Sequence, residues 1–167
     1  MEKVYIACDI GKSGGFCALS SSGEILEMIP MPKIGKEVDY TAVCTFLNKY
    51  KDQNPHMVFE KLQAIFKVAK SAAFSLGFQA GAIEMACIAL QIPFTKCPPK
   101  QWQAQMFTGI AELKRADGKR DTKNMALIIA QRLYPGVSFK KNGRCTIDHD
   151  GMIDALLLCV YAQRNNL

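Results

Sequence analysis

The chain has 167 residues, 49% of them hydrophobic and 22% charged, with a net charge of +6. This length favours a single domain, residues 1–167, and excludes two domains of ordinary size. No run of about 18 apolar residues and no basic segment followed by a hydrophobic signal core is present, which predicts a soluble cytoplasmic protein. Seven cysteines, an odd number without a CxxC pair, predict reduced thiols. Most lie inside apolar strand or helix patterns and are expected to be buried: Cys8, Cys17, Cys44, Cys87 and Cys159.

The N-terminal part of the chain predicts strands in succession. Three short apolar runs separated by turn residues, "KVYIACDIG", "GGFCALSSSG" and "EILEMIPMP", indicate three consecutive antiparallel strands. The next segment, "DYTAVCTFLNKYKD", spaces its apolar residues at helical intervals. A fourth, central strand is predicted at "HMVFEK".

The rest of the chain alternates helices with one more strand. The segment "SAAFSLGFQAGAIEMACIAL" predicts a long helix, and "PFTKCPP" a fifth strand. Further helices are predicted at "PKQWQAQMF", "DTKNMALIIAQRLYPG" and "HDGMIDALLLCVYA", with a polar, mobile connection at "GIAELKRADGKR". This order predicts an α/β fold: a five-stranded mixed sheet, three antiparallel strands then parallel ones, flanked by helices on both faces.

Acidic residues lie where three of these elements meet the surface. Asp9 ends the first strand and Glu60 ends the fourth, each after an apolar run that anchors its backbone. Asp150 and Asp154 are four residues apart, so they share one face of the last helix. If the first and fourth strands are neighbours and the last helix crosses them, the four carboxylates converge.

Such a cluster needs a cation, because neighbouring carboxylates raise one another's pKa. Mg²⁺ prefers carboxylate oxygens and binds substrate phosphates. Two such ions can activate a water on one side of a phosphodiester and stabilise the leaving oxygen on the other. The pattern therefore predicts metal-dependent phosphodiester hydrolysis, with Asp9, Glu60, Asp150 and Asp154 as catalytic metal ligands.

Each candidate also has a structural explanation. The alternatives are a strand end for Asp9, a surface ion pair with Lys61 or Lys96 for Glu60, and a helix cap for Asp148 or Asp150. Asp154 is harder to explain in this way, since it lies one turn into an apolar helix. His149 can be a ligand, a general base, a phosphate contact or a solvated side chain, and Trp102 is more typical of a packing anchor than of a base-stacking platform.

Positive charge is concentrated in one region. Nine basic residues and only two acidic ones lie between positions 114 and 144. This excess of positive charge favours a polyanionic partner such as nucleic acid. The predicted phosphate contacts are Lys114, Arg115, Lys119, Arg120, Lys123, Lys140, Lys141 and Arg144, with Lys100 beside Trp102. A solvated surface also explains a basic run taken alone.

Four segments, in order along most of the chain, resemble RuvC-type Holliday junction resolvases, particularly the short members found in bacteriophages and prophages. They are "CDIGKSGGFCAL", "VFEK", "AFSLGFQAGAIEMACIALQIPFTKCPPKQWQ" and "HDGMIDALLLC". The resemblance implies an RNase H-like fold, a homodimer, and Mg²⁺- or Mn²⁺-dependent nicking of branched DNA such as four-way junctions, in a bacterial host's cytoplasm if a phage encodes the chain. It matches Asp9, Glu60 and Asp154 to the family's acids. Asp150 departs from the pattern, since the family's other helical acid usually lies three residues before the last one, at Gly151 here.

The resemblance also implies a wedge and a dimer face. In the family an aromatic after the fourth-strand acid can enter the opened junction, and Phe66 is the candidate, although it also suits a core position. Lys61, Lys67 and Lys70 around it could hold phosphates. The family dimerises through the long helix, whose Gly77 and Gly81 give a smooth stripe that would also suit packing on the sheet.

Other functions remain open at this level. The same acids serve RNase H-like nucleases that act on RNA or RNA/DNA hybrids, and phosphate contacts do not distinguish these substrates. A catalytically silent junction-binding protein is a second alternative. The segment "DIGKSGG" also suggests one lobe of an actin-like ATPase, but 167 residues do not supply the second lobe.

Overall fold

The computed structural model describes residues 2–62 and 69–167. Its strands are β1 (Val4–Asp9), β2 (Gly15–Ser20), β3 (Ile25–Pro30), β4 (Lys33–Ile34), β5 (Glu37–Val38), β6 (Pro55–Glu60) and β7 (Phe94–Cys97). Its helices are α1 (Tyr40–Tyr50), α2 (Lys70–Ala89), α3 (Pro99–Met106), α4 (Thr122–Leu133) and α5 (Asp150–Arg164).

The main sheet has the order β3-β2-β1-β6-β7. β1 and β3 each pair antiparallel with β2, whereas β6 pairs parallel with both β1 and β7. The predicted mixed five-stranded sheet, antiparallel and then parallel, is confirmed. Because β1 and β6 are neighbours, their carboxyl ends meet at one edge of the sheet.

Helices cover both faces of the sheet, as predicted. On one face Ile6 and Met57 pack against the buried sides of α1 and α2. On the other face Ala7 and Val58 pack against α3, α4 and α5. Successive strand residues point to opposite faces, so each position along β1 and β6 has a determined side. The helix α5 is buried along most of its length, which explains its apolar sequence.

Two local structures differ from the sequence predictions. β4 and β5 form a hairpin that was not predicted, with Gly35 in its turn at φ +62°. The segment predicted to be a mobile connection forms a tight basic hairpin, in which Arg115 N donates to Lys119 O at 2.8 Å. We call residues 113–121 the basic hairpin.

The exposed side of α2 carries an apolar stripe, the α2 stripe, made of Phe74, Gly77, Phe78, Gly81, Met85 and Ile88. Its members recur three or four residues apart, which places them on one helix face. Phe74 is 76% exposed. The opposite side packs on the sheet through Ile83 and Cys87. By length and composition alone α2 could also cross a membrane, since an 18-residue segment of it has a mean hydropathy of 1.4 and is 17% buried. A single helix of this kind is weak evidence of a membrane span.

All seven cysteines lie in the described residues and are free. Five of them are buried, and Cys145 is partly buried. Cys44 is exposed, so the expected burial is wrong there: it lies between Val43 and the buried Phe46 and Leu47, on the outer side of α1.

Candidate active site

Asp9 and Glu60 lie side by side at the carboxyl edge of the sheet. The parallel register pairs Cys8 with Phe59, so the next residue on each strand is an acid. Cys8 and Phe59 both face the α1–α2 side. Alternation along a strand therefore turns Asp9 and Glu60 to the opposite face, where α5 lies.

A close backbone contact brings the start of α5 to this edge. Gly151 forms an isolated parallel bridge with Gly14, in the turn between β1 and β2. A Cβ at Gly151 would overlap the Ser13 carbonyl and the Gly14 backbone, and one at Gly14 would overlap the Asp9 carbonyl. Glycine at both positions lets α5 begin directly against the chain that carries Asp9.

His149 caps α5, with its side chain accepting from Met152 N at 3.2 Å through Nδ1. The expectation of a cap at Asp148 or Asp150 is therefore wrong. Asp148 lies outside the helix and pairs with Lys140 in an isolated bridge. Asp150 is the first residue of the helix, and its side chain accepts from Lys123 instead of capping the helix.

Asp9, Glu60 and Asp154 are partly buried, while Asp150 is exposed. Burial, then the charges of Asp154, Glu60 and Asp150, raise the pKa of Asp9 to about 8. Burial, Glu60 and Asp150 raise the pKa of Asp154 to about 7. Burial also raises the pKa of Glu60. The structure thus brings together the four predicted acids from β1, β6 and α5, and their mutual repulsion favours a bound cation.

The donor chemistry of these acids fits a divalent metal. Every donor is a carboxylate oxygen, the type that Mg²⁺ and Mn²⁺ prefer. Across residues 2–62 and 69–167, no three His, Cys, Asp or Glu side chains come close enough together to hold a metal ion. Two of the four acids have other partners, since Asp150 accepts from Lys123 and Glu60 accepts from Trp102. A cation would require the side chains to close around it.

Two solved structures of Thermus thermophilus RuvC are similar to this chain. RuvC in complex with a Holliday junction substrate matches with a TM-score of 0.63 and 12% identity, over 97% of this chain and 96% of that one. A second RuvC structure matches with a TM-score of 0.60 and 16% identity, over 98% and 96%. The chain has the fold of RuvC. The predicted resemblance is confirmed at the level of the fold, while no family model and no curated protein matches the sequence.

Glu60 has a hydrogen-bond partner, Trp102, that the sequence predicted only as a packing residue. Trp102 is buried, as predicted, and its indole N–H donates to Glu60 Oε1 at 2.8 Å. The alternative ion pair between Glu60 and Lys96 is not formed. Lys96 pairs instead with Glu84, at 2.6 Å. No pattern in the sequence links positions 60 and 102, so this hydrogen bond could be identified only from the folded structure.

Lys123 is a predicted basic residue that contacts one of the four acids, Asp150, directly. Its Nζ lies 2.5 Å from Asp150 Oδ2, and this bond raises the pKa of Lys123. Lys123 lies in the first turn of α4, which the capping residue Asp121 holds in place through Asn124 N at 3.2 Å. The first turn of α4 therefore places a cation beside Asp150 at the acidic edge.

The other predicted basic residues form a discontinuous exposed surface. Those that are described and exposed are Lys61, Lys70, Lys100, Lys114, Arg115, Lys119, Arg120, Lys140, Lys141 and Arg144. Phe66 and Lys67 lie outside the described residues. Lys33 of β4 is a further exposed basic residue, and the sequence did not predict it as a phosphate contact. Burial and the charges of Lys141 and Lys33 lower the pKa of His149, so both lysines lie near the start of α5.

Proposed function

We propose that the chain is a structure-specific DNA endonuclease, a crossover junction endodeoxyribonuclease that nicks branched DNA by metal-dependent phosphodiester hydrolysis. The observation that carries the proposal is the meeting of Asp9, Glu60 and Asp154 at one sheet edge, on a fold shared with RuvC in complex with a Holliday junction substrate. The whole of residues 1–167 would form one nuclease domain that acts in the cytoplasm.

Asp9, Glu60, Asp150 and Asp154 would hold Mg²⁺ or Mn²⁺, two ions per site. Bound metal supplies an activated water and charge stabilisation for the leaving oxygen. Asp9 and Asp154 must give up their protons to serve as ligands, because their pKa values of about 8 and about 7 leave them partly protonated near neutral pH. Lys123 would turn from Asp150 toward the phosphate that enters the site.

Basic residues around the acidic edge would bind the DNA backbone. Arg115 of the basic hairpin is close enough to Lys123 to oppose the rise in its pKa, and Lys33, Lys140 and Lys141 lie near the N-terminal cap of α5. Backbone contacts of this kind position a duplex without reading its sequence. Selectivity for a branched substrate would then arise from where the duplex arms can lie on the protein, with Phe66 as a candidate wedge.

The α2 stripe supports a homodimer. Four large apolar side chains are exposed along it, with Phe78, Met85 and Ile88 each more than half exposed, and a Cβ at Gly77 or Gly81 would meet nothing within 4 Å. An apolar stripe of this length favours an interface. A two-fold dimer would present two acidic edges to the two equivalent strands of a four-way junction.

Cleavage of a labelled four-way DNA junction with Mg²⁺ tests the proposal, with linear duplex and an RNA/DNA hybrid as competing substrates. Paired nicks in the junction are expected. Asp154→Asn should reduce the rate at least about 100-fold, since a metal supplies several kcal/mol of transition-state stabilisation. Asp148→Asn removes a charge from the same region outside the cluster and should cleave normally.

The competing functions give different results in the same assay. Cleavage of the hybrid in preference to the junction would assign the site to RNA-directed chemistry. Junction binding without cleavage in either Mg²⁺ or Mn²⁺ would identify a silent binding protein and contradict the nuclease proposal.

A further inference from the structure

Trp102 is the single tryptophan of the chain, and it contacts the acidic edge from inside the core. Its side chain is 1% exposed, and its indole N–H donates to Glu60 Oε1 at 2.8 Å. A buried N–H needs an acceptor. Here the acceptor is one oxygen of a proposed metal ligand, which gives the bond a consequence beyond packing.

The tryptophan is held rigidly by its surroundings. α3 begins directly after β7, whose Cys97 is the register partner of Glu60. Phe107 packs edge-on against the Trp102 ring, with 6.0 Å between the ring centroids. The neighbouring Gln101 donates from Nε2 to Tyr161 Oη at 2.8 Å, which ties α3 to the helix that carries Asp150 and Asp154. The indole N–H is therefore a fixed point between two ligand-bearing elements.

The chemistry of the indole suits this position. It is a donor only, so it can restrain a carboxylate oxygen without competing for a metal. A glutamate side chain has several rotatable bonds and loses conformational freedom when it becomes a ligand. A hydrogen bond that holds Oε1 would orient the carboxylate plane in advance and leave Oε2 as the oxygen available to a metal.

We propose that Trp102 is a positioning residue that orients Glu60 for divalent-cation binding through its indole N–H. The inference rests on the proposed function, since it assigns Glu60 to the metal. It differs from a packing role in one respect: a ring of the same shape without the N–H would fill the core equally well but leave Glu60 free to rotate.

The test exploits the single tryptophan. Expression in a tryptophan auxotroph supplied with 3-benzothienylalanine replaces the indole N–H by sulfur in a ring of nearly the same shape, at position 102 alone. Trp102→Phe is the genetic counterpart. Phe107→Leu is the matched control, because it loosens the packing on the ring and keeps the N–H. Mn²⁺ affinity is measured on each full-length protein by electron paramagnetic resonance of free Mn²⁺, beside urea unfolding midpoints.

The expected result is Mn²⁺ binding about 10–100-fold weaker in the benzothienyl protein and in Trp102→Phe, as is typical when a ligand loses its hydrogen-bond partner. The unfolding midpoint of the benzothienyl protein should stay near that of wild type. Phe107→Leu should unfold at lower urea and bind Mn²⁺ within about twofold of wild type. Cleavage by the benzothienyl protein should recover as the Mg²⁺ concentration is raised.

Two outcomes overturn the inference in distinguishable ways. Equal Mn²⁺ affinity in the wild type and benzothienyl proteins, with junction cleavage intact, makes Trp102 a packing residue and leaves the proposed nuclease unaffected. No Mn²⁺ binding by the wild type, or binding that Glu60→Gln does not weaken, removes Glu60 from any metal and contradicts the proposed function as well.

Discussion

Gly151 at the start of α5 lies against the backbone of Gly14, in the turn that follows β1. The contact sets the distance between the helix that carries Asp154 and the strand that carries Asp9. It also explains why the second helical acid is Asp150: a side chain at position 151 would overlap the Ser13 carbonyl. The i, i+4 spacing keeps Asp150 on the same helix face as Asp154.

Gly151→Ala should therefore lower both stability and activity. Overpacking against backbone costs about 1–3 kcal/mol, which corresponds to roughly 2–4 °C in melting temperature for each kcal/mol in a chain of this size. Displacement of α5 should also reduce junction cleavage. Gly143→Ala is the control, because a Cβ there meets nothing within 4 Å. Equal melting temperatures for the two variants would show that the Gly14–Gly151 contact does not constrain α5.

Much of the acidic edge could be predicted from local patterns. Asp9 and Glu60 each follow an uninterrupted apolar run, and Asp154 interrupts a buried helix, so the sequence itself shows charges where the core meets the surface. The pairing of β1 with β6 was the tertiary step; the sequence left it as a condition for the acids to converge, and the structure shows it.

Contacts between distant residues could not be predicted in this way. The Trp102–Glu60 bond joins positions 42 residues apart, and nothing in either local sequence requires the other. The β4–β5 hairpin is only two residues long on each strand and follows two prolines, which hides its pattern. The cap of α5 is His149, whereas Asp is the commoner capping residue, so local preference pointed to the neighbouring acids.

The raised pKa values predict a stability that falls as pH rises. A carboxyl whose pKa is higher in the folded than in the unfolded state binds more protons when folded, so the free energy of unfolding decreases with pH between the two values. For Asp9 and Asp154 this interval runs from 3.8 to about 8 and about 7, respectively. In thermal denaturation with EDTA, the wild type should lose stability across this range.

Asp154→Asn should remove much of that pH dependence. The variant loses one partly buried charge and relieves the repulsion on Asp9, and each pKa unit corresponds to about 1.4 kcal/mol. It should melt above the wild type at pH 8 and near it at pH 4. Mg²⁺ should raise the melting temperature of the wild type more than that of the variant, because a ligand stabilises the state that binds it. A pH dependence shared equally by both proteins would contradict the crowded acidic edge.

Phe74→Glu should separate the proposed dimer into monomers. Burial of a large apolar side chain contributes about 1.5–3 kcal/mol, so its replacement by a charge should weaken association by roughly 10-fold or more. Analytical ultracentrifugation measures the effect. Ala72→Glu adds the same charge at an exposed position that is not three or four residues from any member of the α2 stripe, and it should remain dimeric. A wild type that stays monomeric with junction DNA present would exclude the two-fold arrangement.

Lys123→Met should slow cleavage by about 100-fold, the effect of removing one preorganised donor from a developing charge. Junction binding in EDTA should change far less, since one phosphate contact is a small part of the total. Lys119→Met is the control: that lysine is exposed in the basic hairpin, and its ion-pair partner is Asp117 rather than a site acid. Equal rates for the two variants would place Lys123 among general backbone contacts.

The basic hairpin should contribute to binding through phosphate contacts alone. If Arg115, Lys119 and Arg120 each neutralise one phosphate, their combined replacement by alanine should reduce the slope of log K against log salt concentration by about 3, close to 0.9 per contact. The loss should be similar for different junction sequences, because these contacts position DNA without reading it. Lys51→Ala is the control, since Lys51 precedes β6 and lies at the opposite edge of the sheet from Glu60. An unchanged salt slope would mean that the hairpin points away from bound DNA, and the duplex arms would then have to lie on the Lys33 and Lys141 side of α5.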